Sequence, residues 1–181
     1  MKPLKFLGVL LLLAAAVFLA RNQGLLFGED PLALSVDLNQ FSSSMGEAEV
    51  QQILPALELK CADTKPGFSL GSRVCYANLN SFHGIEAKQI AFFFKGTKLA
   101  SFKIDIPWQS HPRMLDKLHE DYGAPAHEQK ELHGGVRLMS WRIKGGILSY
   151  NLIEDREVSE WNSLFWTDHK EPAAKAMMRA R

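Results

Sequence analysis

The sequence predicts an α+β fold, in which helices cover one face of an antiparallel sheet. Apolar residues recur at helical spacing in two segments, and they alternate with polar residues in the segments between and after these two. The chain has 181 residues, 46% hydrophobic and 23% charged, which is typical of one globular domain with a real core. The order helix, strands, helix, strands favours helices on one side of the sheet, and it also allows two tandem units of one helix and three strands.

Two helices have recognisable starts and ends. Ser44 and Glu47 resemble a capping box, and Pro55 ends or kinks the helix that follows. For the second helix, Ser110 is the predicted cap and Gly123 the predicted stop. The apolar stripes are Val50, Ile53, Leu54 and Leu57 in the first helix, and Met114, Leu115, Leu118 and Tyr122 in the second.

The segments with a period of two predict the antiparallel sheet. In residues 100–106 the apolar side chains at 102, 104 and 106 point to one face, whereas Ser101, Lys103 and Asp105 point to the other. Turns that contain glycine separate the segments after each helix. The predicted strands are residues 73–78, 90–94, 100–106, 126–132, 136–143 and 147–153.

The last part of the chain completes the predicted domain organisation. Val158, Trp161, Leu164 and Phe165 are spaced as in a short amphipathic helix that docks back onto the domain. Beyond Trp166 the chain is charged and rich in alanine, as is typical of a loose terminus. The predicted divisions are a signal-anchor or signal peptide over 1–21, a linker over 22–43, an α+β periplasmic domain over 44–166 and a loose tail over 167–181.

An apolar segment near the N-terminus predicts export across a membrane. Residues 6–20 contain no charge and follow Lys2 and Lys5, a pattern typical of a signal peptide or a membrane anchor. As a helix the segment would span about 22 Å, less than a hydrocarbon core of about 30 Å. We expect an uncleaved anchor that enters the inner membrane through residues 4–20 as a single pass, with the domain in the periplasm. Secretion to the periplasm after signal cleavage is the alternative.

Cys61 and Cys75 are the only cysteines in the chain. In an exported domain an even pair predicts one disulfide, and closing a loop of this size contributes about 3 kcal/mol to stability. Two buried thiols in a cytoplasmic protein are the alternative. The chain contains no C-x-x-C motif, so the sequence offers no support for a redox-active dithiol.

Charge and residue spacing argue against several function classes. Basic and acidic residues number 21 and 20, and three of the basic ones (Lys2, Lys5 and Arg21) flank the apolar segment, so the remainder is slightly acidic. Nucleic acid is therefore not an expected partner.

His111 and His119 would lie about 12 Å apart on one helix, too far to share a metal ion. We expect no metal, no cofactor and no small-molecule substrate.

Residues 67–71 match the nucleophile-elbow pattern G-x-S-x-G, with Ser69 in the nucleophile position. That elbow requires a strand before it and a helix after it. Here a turn containing Pro66 comes before the pattern, and a predicted strand containing Cys75 follows it. We interpret the match as a coincidence, and a small envelope hydrolase that uses Ser69 is the alternative function.

A longer pattern resembles a known family. A capped helix, Tyr-Gly-Ala-Pro at 122–125, and a strand with Trp141 followed by a Gly-rich turn and an apolar strand resemble the SmpA/OmlA (BamE-like) family and the β-lactamase-inhibitor-protein-like superfamily. The resemblance is clearest over 110–153, and 44–106 resembles a weaker first copy. The chain lacks the lipid-bearing cysteine of the BamE-like lipoproteins, so it is not a lipoprotein member. The resemblance implies a fold used for protein binding, often through the open face of the sheet.

These observations predict a membrane-tethered, non-catalytic module of the cell envelope that binds or scaffolds another envelope protein. The partner is expected on the side of the sheet without helices, where Lys103, Asp105 and Arg142 give a polar surface of mixed charge. Trp108, at the end of a predicted strand, is a further candidate contact. A purely structural stalk that holds the C-terminal tail at a fixed height is the other non-enzymatic reading.

Overall fold

The computed structural model describes residues 32–65, 70–132, 136–153 and 161–168. By its internal contacts the chain divides into residues 1–31 and 32–181, and every described residue belongs to the second unit. The predicted signal-anchor, the candidate nucleophile Ser69 and the tail from residue 169 onward lie outside the described residues.

Strands dominate the described part of the chain. In chain order they are β1 (Ala33–Leu34), β2 (Lys60–Asp63), β3 (Arg73–Asn78), β4 (Ser81–Phe82), β5 (Ile85–Glu86), β6 (Gln89–Lys95), β7 (Lys98–Pro107), β8 (His127–Leu132), β9 (Val136–Ile143), β10 (Gly146–Ile153) and β11 (Trp161–Thr167). Eight of them form the main sheet in the order β2-β3-β6-β7-β11-β10-β9-β8, with every neighbouring pair antiparallel. The remaining strands, β1, β4 and β5, form a small second sheet.

The main sheet consists of two halves with four strands each. The first half is β2-β3-β6-β7, interrupted in the chain only by the short β4 and β5, and the second half is β8-β9-β10-β11. The last strand of each half lies at the centre of the sheet, where β7 pairs with β11 and Ile104 stands opposite Leu164. In the described sheet the two halves therefore meet along this one ladder.

One face of the main sheet carries the hydrophobic core. It is covered by helix α1 (Glu47–Ile53), by helix α2 (His111–Tyr122) and by the segment that precedes α1. The ring of Phe41 is fully buried 5.0 Å from that of Phe102, and Phe102 stacks on Trp166 at 5.5 Å. Large aromatic side chains from three parts of the chain thus fill the centre of the core.

The prediction of an α+β fold with a layer of helices is wrong, because the described domain is mostly β. Its main sheet has eight strands, whereas only two short α-helices, of 7 and 12 residues, occur in the described ranges. The prediction of two tandem units with one helix and three strands each is wrong as well, since each half of the sheet supplies four strands. Short strands such as β2 escaped prediction because a few residues carry too little periodicity to be recognised.

The predicted amphipathic helix over 158–165 is also wrong. Residues Trp161–Thr167 form β11, which lies between β7 and β10 at the centre of the sheet. Leu164 enters the core, whereas its neighbour Phe165 lies on the opposite face. Because both faces of this strand are buried, its sequence has no polar side that would reveal the alternation.

Most of the other elements are confirmed. The six predicted strands and the second helix have bounds within two residues of those expected. The first helix begins later than predicted, with Gly46 in the cap position and its N–H donating to Glu49 Oε2 at 2.7 Å. Residues 32–43, expected as part of a linker, contribute Leu38 and Phe41 to the core.

Trp141→Ala is expected to lower the free energy of unfolding by about 3–5 kcal/mol, as is usual for a buried tryptophan. Trp141 is 1% exposed, and its indole N–H donates to the carbonyl oxygen of Gly123 at 2.9 Å. The matched control is Trp108→Ala, because Trp108 is 38% exposed; we expect it to cost about 1 kcal/mol or less. Urea unfolding followed by circular dichroism measures both values, and equal losses would contradict the described burial.

Candidate functional site

The second face of the main sheet carries neither α1 nor α2, and we call it the helix-free face. Residues that stand opposite one another on antiparallel strands share a face. The register therefore places Lys103 in one row with Phe165, Ser149 and Ser140. The central residues of the helix-free face are Ala91, Phe93, Ser101, Lys103, Asp105, Leu138, Ser140, Arg142, Ile147, Ser149, Asn151, Ser163, Phe165 and Thr167.

Lys103 and Asp105 form an ion pair on the helix-free face. Lys103 Nζ lies 3.1 Å from Asp105 Oδ2, and the two side chains are 29% and 16% exposed. The hydroxyl of Ser163 on the neighbouring strand donates to Asp105 Oδ1 at 2.8 Å, and the N–H of Ser163 donates to Asn151 Oδ1. The carboxylate is therefore held in a fixed position by β11, unlike a freely solvated surface ion pair.

Arg142 lies on the same face as this ion pair but does not touch it. The row Ser101, Thr167, Ile147 and Arg142 runs across four adjacent strands. Three strand spacings correspond to about 14 Å. Arg142 is exposed, so it adds a positive charge at a distance from the central pair.

Trp108 borders the helix-free face and is not part of it. It begins a 3-10 turn, Trp108–Ser110, immediately after the end of β7. Among the described residues it is the exposed large hydrophobic side chain. The four predicted contact residues thus divide into an ion pair, a distant arginine and a tryptophan at the end of the sheet.

Apolar residues occupy the part of the helix-free face next to the charged pair. Ala91 and Phe93 of β6 form a cluster with Leu70, and Val74 and Tyr76 of β3 pack against it. Leu70, Ala91 and Phe93 are buried, so this part of the face is closed to solvent and the charged groups beside it are the accessible ones.

The sequence did not reveal that β11 contributes the centre of this face. Ser163, Phe165 and Thr167 occupy it because β11 lies between β7 and β10. The misassigned helix over 158–165 hid these residues. The segment offered no clear signal, because both faces of β11 are buried and apolar residues occur on each.

The potential metal ligands that lie close together in the described ranges are engaged in structural contacts. In the described ranges the only cluster of three potential metal ligands is Glu47, Cys61 and Cys75, whose ligand atoms lie within 4.8 Å of one another. Both sulfurs belong to a disulfide and so cannot act as thiolate ligands. The ring of His83 lies between Ser35 Oγ, at 3.3 Å, and the carbonyl oxygen of Val36, at 3.0 Å.

Two tyrosines on the helix-covered side are protected from ionisation. Burial raises the pKa of Tyr150 well above its ordinary value, and its hydroxyl lies 3.1 Å from Nδ1 of His111. Burial also raises the pKa of Tyr122 to about 12. Both phenols therefore remain neutral at physiological pH, where Tyr150 packs and forms a hydrogen bond and Tyr122 packs against the core.

A shallow depression of about 760 Å³ lies on the helix-covered side of the domain. Asp37 Oδ1 there accepts hydrogen bonds from the backbone and the side chain of Asn39, and Asn39 Oδ1 accepts one from the backbone N–H of Lys144. These polar groups bond one another, so they fix the segment before α1. The lining residues are Asp37, Asn39, Gln40, Met45, Ile53 and Lys144.

The predicted disulfide is confirmed and ties β2 to the sheet. Cys61 stands directly opposite Cys75 on β3, with their Cα atoms 4.0 Å apart. Arg73 reinforces this edge, because its guanidinium contacts Glu47 at 2.6 Å and Asp63 at 3.0 Å. Hydrogen bonds to these two carboxylates raise the pKa of Arg73.

Comparisons with protein-family models, with curated proteins and with solved structures find no match for this chain. Across the described ranges, no helix has both the length and the apolar character that crossing a bilayer requires. The helix-free face is therefore the principal basis for a functional interpretation.

Labelling of the folded chain with a thiol reagent, without reductant, is expected to modify neither Cys61 nor Cys75. Replacing both by alanine should lower the free energy of unfolding by about 3 kcal/mol, because the bond restricts the unfolded chain. Stoichiometric labelling of the native protein would contradict the disulfide and, with it, much of the support for export.

Tyr150→Phe is expected to reduce the decrease in the free energy of unfolding at alkaline pH. A phenol with a raised folded pKa contributes stability that is fully present below its unfolded pKa of about 10 and is lost as the pH rises towards the folded value. The free energy of unfolding of the natural chain should therefore fall from about pH 10 upward, and Tyr150→Phe should fall less. Urea unfolding at neutral pH and in steps above pH 10 measures both slopes, and parallel curves would disprove the burial of this phenol.

Proposed function

We propose that the chain is a membrane-tethered, non-catalytic protein-binding or scaffolding module of the cell envelope, and that its partner is another envelope protein. The observation that carries the proposal is the helix-free face. It carries a fixed, partly buried ion pair, Lys103–Asp105, and an exposed Arg142, whereas the apolar cluster around Phe93 is buried. Charged side chains that are spread over several strands suit recognition of a protein surface better than they suit a small substrate.

The N-terminal apolar segment and the disulfide support a location outside the cytoplasm. Residues 4–20 would enter the inner membrane as a single pass, with the domain in the periplasm, and secretion after signal cleavage is the alternative. The disulfide between Cys61 and Cys75 supports either location, because such bonds persist in oxidising compartments. The resemblance of residues 110–153 to the BamE-like family supports protein binding as the activity.

The charges on the helix-free face suggest how a partner would be selected. The carboxylate of Asp105 is bonded by Lys103 and Ser163, so a partner meets a preorganised pair and need not order it on binding. Arg142 is exposed at the periphery, where a charge mainly affects the association rate and partner choice. We therefore expect an acidic group on the partner opposite Arg142.

Photo-crosslinking in intact cells, with a benzophenone side chain at position 142, is expected to capture the partner. Position 137 is the matched control, because Arg137 lies on the same strand but its side chain points to the opposite face of the sheet. The captured protein is then identified by mass spectrometry. Equal capture from both positions, or capture from position 137 alone, would disprove the helix-free face as the binding surface.

The variant pair Arg142→Gln and Arg137→Gln tests the charge itself. Arg142→Gln should reduce capture of the partner at low salt, with nearly the same melting temperature as the natural chain, since exposed charges contribute little to stability. Arg137→Gln removes the contact with Glu128 and should leave capture unchanged. If Arg142→Gln instead unfolds the domain, the side chain has a structural role and the proposal fails at this residue.

A further inference from the structure

Three potential metal ligands meet at the edge of the sheet where β2 pairs with β3. Cys61 and Cys75 stand directly opposite each other on these two strands, and Glu47 of α1 approaches them. One ligand atom from each residue lies within 4.8 Å of the other two. Two thiolates and one carboxylate are a ligand set that suits Zn²⁺, with a fourth position for water. The cluster therefore has the ligands of a zinc site, although the disulfide engages both sulfurs in the oxidised chain.

Arg73 supports this cluster with contacts to its carboxylate. Arg73 and Cys75 are two residues apart on β3, so their side chains lie on the same face of the sheet. The guanidinium Nε of Arg73 lies 2.6 Å from Glu47 Oε1, and this contact holds the carboxylate beside the sulfurs. Carboxylates that bind metals are usually held by hydrogen bonds of this kind. The positive charge of Arg73 also offsets part of the negative charge that two thiolates would bring.

The disulfide can be attacked from the side of β2. Cys61 is exposed, whereas Cys75 is fully buried. A thiolate of an external dithiol attacks the sulfur of Cys61, forms a mixed disulfide with it and releases Cys75 as a thiolate, which takes up a proton. The second thiol of the reductant then displaces Cys61, so two electrons pass to the chain and the reductant leaves as a disulfide. Reduction thus leaves two thiols opposite each other on paired strands, next to Glu47.

We propose that Cys61, Cys75 and Glu47 form a redox-gated Zn²⁺ site, which the disulfide closes and which opens when a dithiol reduces that bond. On binding, each thiol loses its proton, so one Zn²⁺ is exchanged for two protons. Reoxidation by an external disulfide reforms the S–S bond and releases the metal. In the reduced chain Zn²⁺ joins β2 to β3, as the disulfide does in the oxidised chain. The site does not depend on the partner binding proposed above.

Zinc titration of the full chain, before and after reduction, tests the site. The chain is reduced with a water-soluble phosphine, separated from it without oxygen and titrated with Zn²⁺ in competition with a chromophoric chelator. The reduced chain should bind one Zn²⁺ and release about two protons for each ion. The oxidised chain, and a variant with Cys61→Ser and Cys75→Ser, should bind about tenfold more weakly or less, since they lack thiolates. Equal affinity in the reduced chain and the double variant would overturn the proposal.

The variants Glu47→Gln and Asp63→Asn test the carboxylate ligand as a matched pair. Both carboxylates contact Arg73, at 2.6 Å and 3.0 Å, but only Glu47 belongs to the cluster of ligands. In the reduced chain Glu47→Gln should weaken Zn²⁺ binding by about tenfold, because an amide is a poorer zinc ligand than a carboxylate. Asp63→Asn should leave the affinity nearly unchanged. Equal affinities of Glu47→Gln and the natural chain, or equal losses in both variants, would overturn the three-ligand site.

Thermal unfolding followed by circular dichroism distinguishes a lost site from a lost fold. Reduction removes the constraint of the disulfide, so the metal-free reduced chain should melt at a lower temperature than the oxidised chain. Zn²⁺ should raise the melting temperature of the reduced chain and leave that of the oxidised chain unchanged, since a ligand stabilises the state that binds it. A reduced chain that stays unfolded in excess Zn²⁺, or whose melting temperature Zn²⁺ does not change, would overturn the proposal.

Discussion

The pairing of β7 with β11 is the interaction on which the rest of the structure depends. Seven residue pairs join the two strands, from Trp161 opposite Pro107 to Thr167 opposite Ser101. Without this ladder each half would be a four-stranded sheet with an open inner edge, and open edges promote aggregation. The stacking of Phe102 on Trp166 adds an aromatic contact across the same junction. Because the paired segments lie far apart in the chain, their contact carries a high entropic cost during folding.

The same pairing determines the chemistry of the helix-free face. β11 brings Ser163 next to Asp105, and the resulting hydrogen bond fixes the carboxylate that pairs with Lys103. The approach of β10 to β11 depends on Gly146, since a Cβ atom there would lie 2.2 Å from the carbonyl oxygen of Thr167. Gly146 thus serves both in the turn before β10 and in the close packing of β10 against β11, beside the candidate site.

Both outer edges of the sheet are protected against the addition of another strand, so a face is the more suitable surface for a partner. The edge strand β2 is four residues long, exposed, and held by the disulfide and by the contact of Arg73 with Asp63. The opposite edge strand, β8, presents Glu128, which is paired with Arg137 of β9. Short or charged edges resist the addition of another strand. A partner is accordingly expected to meet side chains on the face.

The sequence by itself determined the elements with strong local patterns: the strands β3 and β6 to β10, the second helix with its stop at Gly123, and the disulfide between Cys61 and Cys75. It also placed Lys103, Asp105 and Arg142 on one face, since alternation assigns faces within a strand. Only the tertiary structure decided that the fold is mostly β and that Trp161–Thr167 is a central strand. The physical reason is that β11 is buried on both sides and its conformation is set by hydrogen bonds to β7 and β10, which no local pattern of residues can encode.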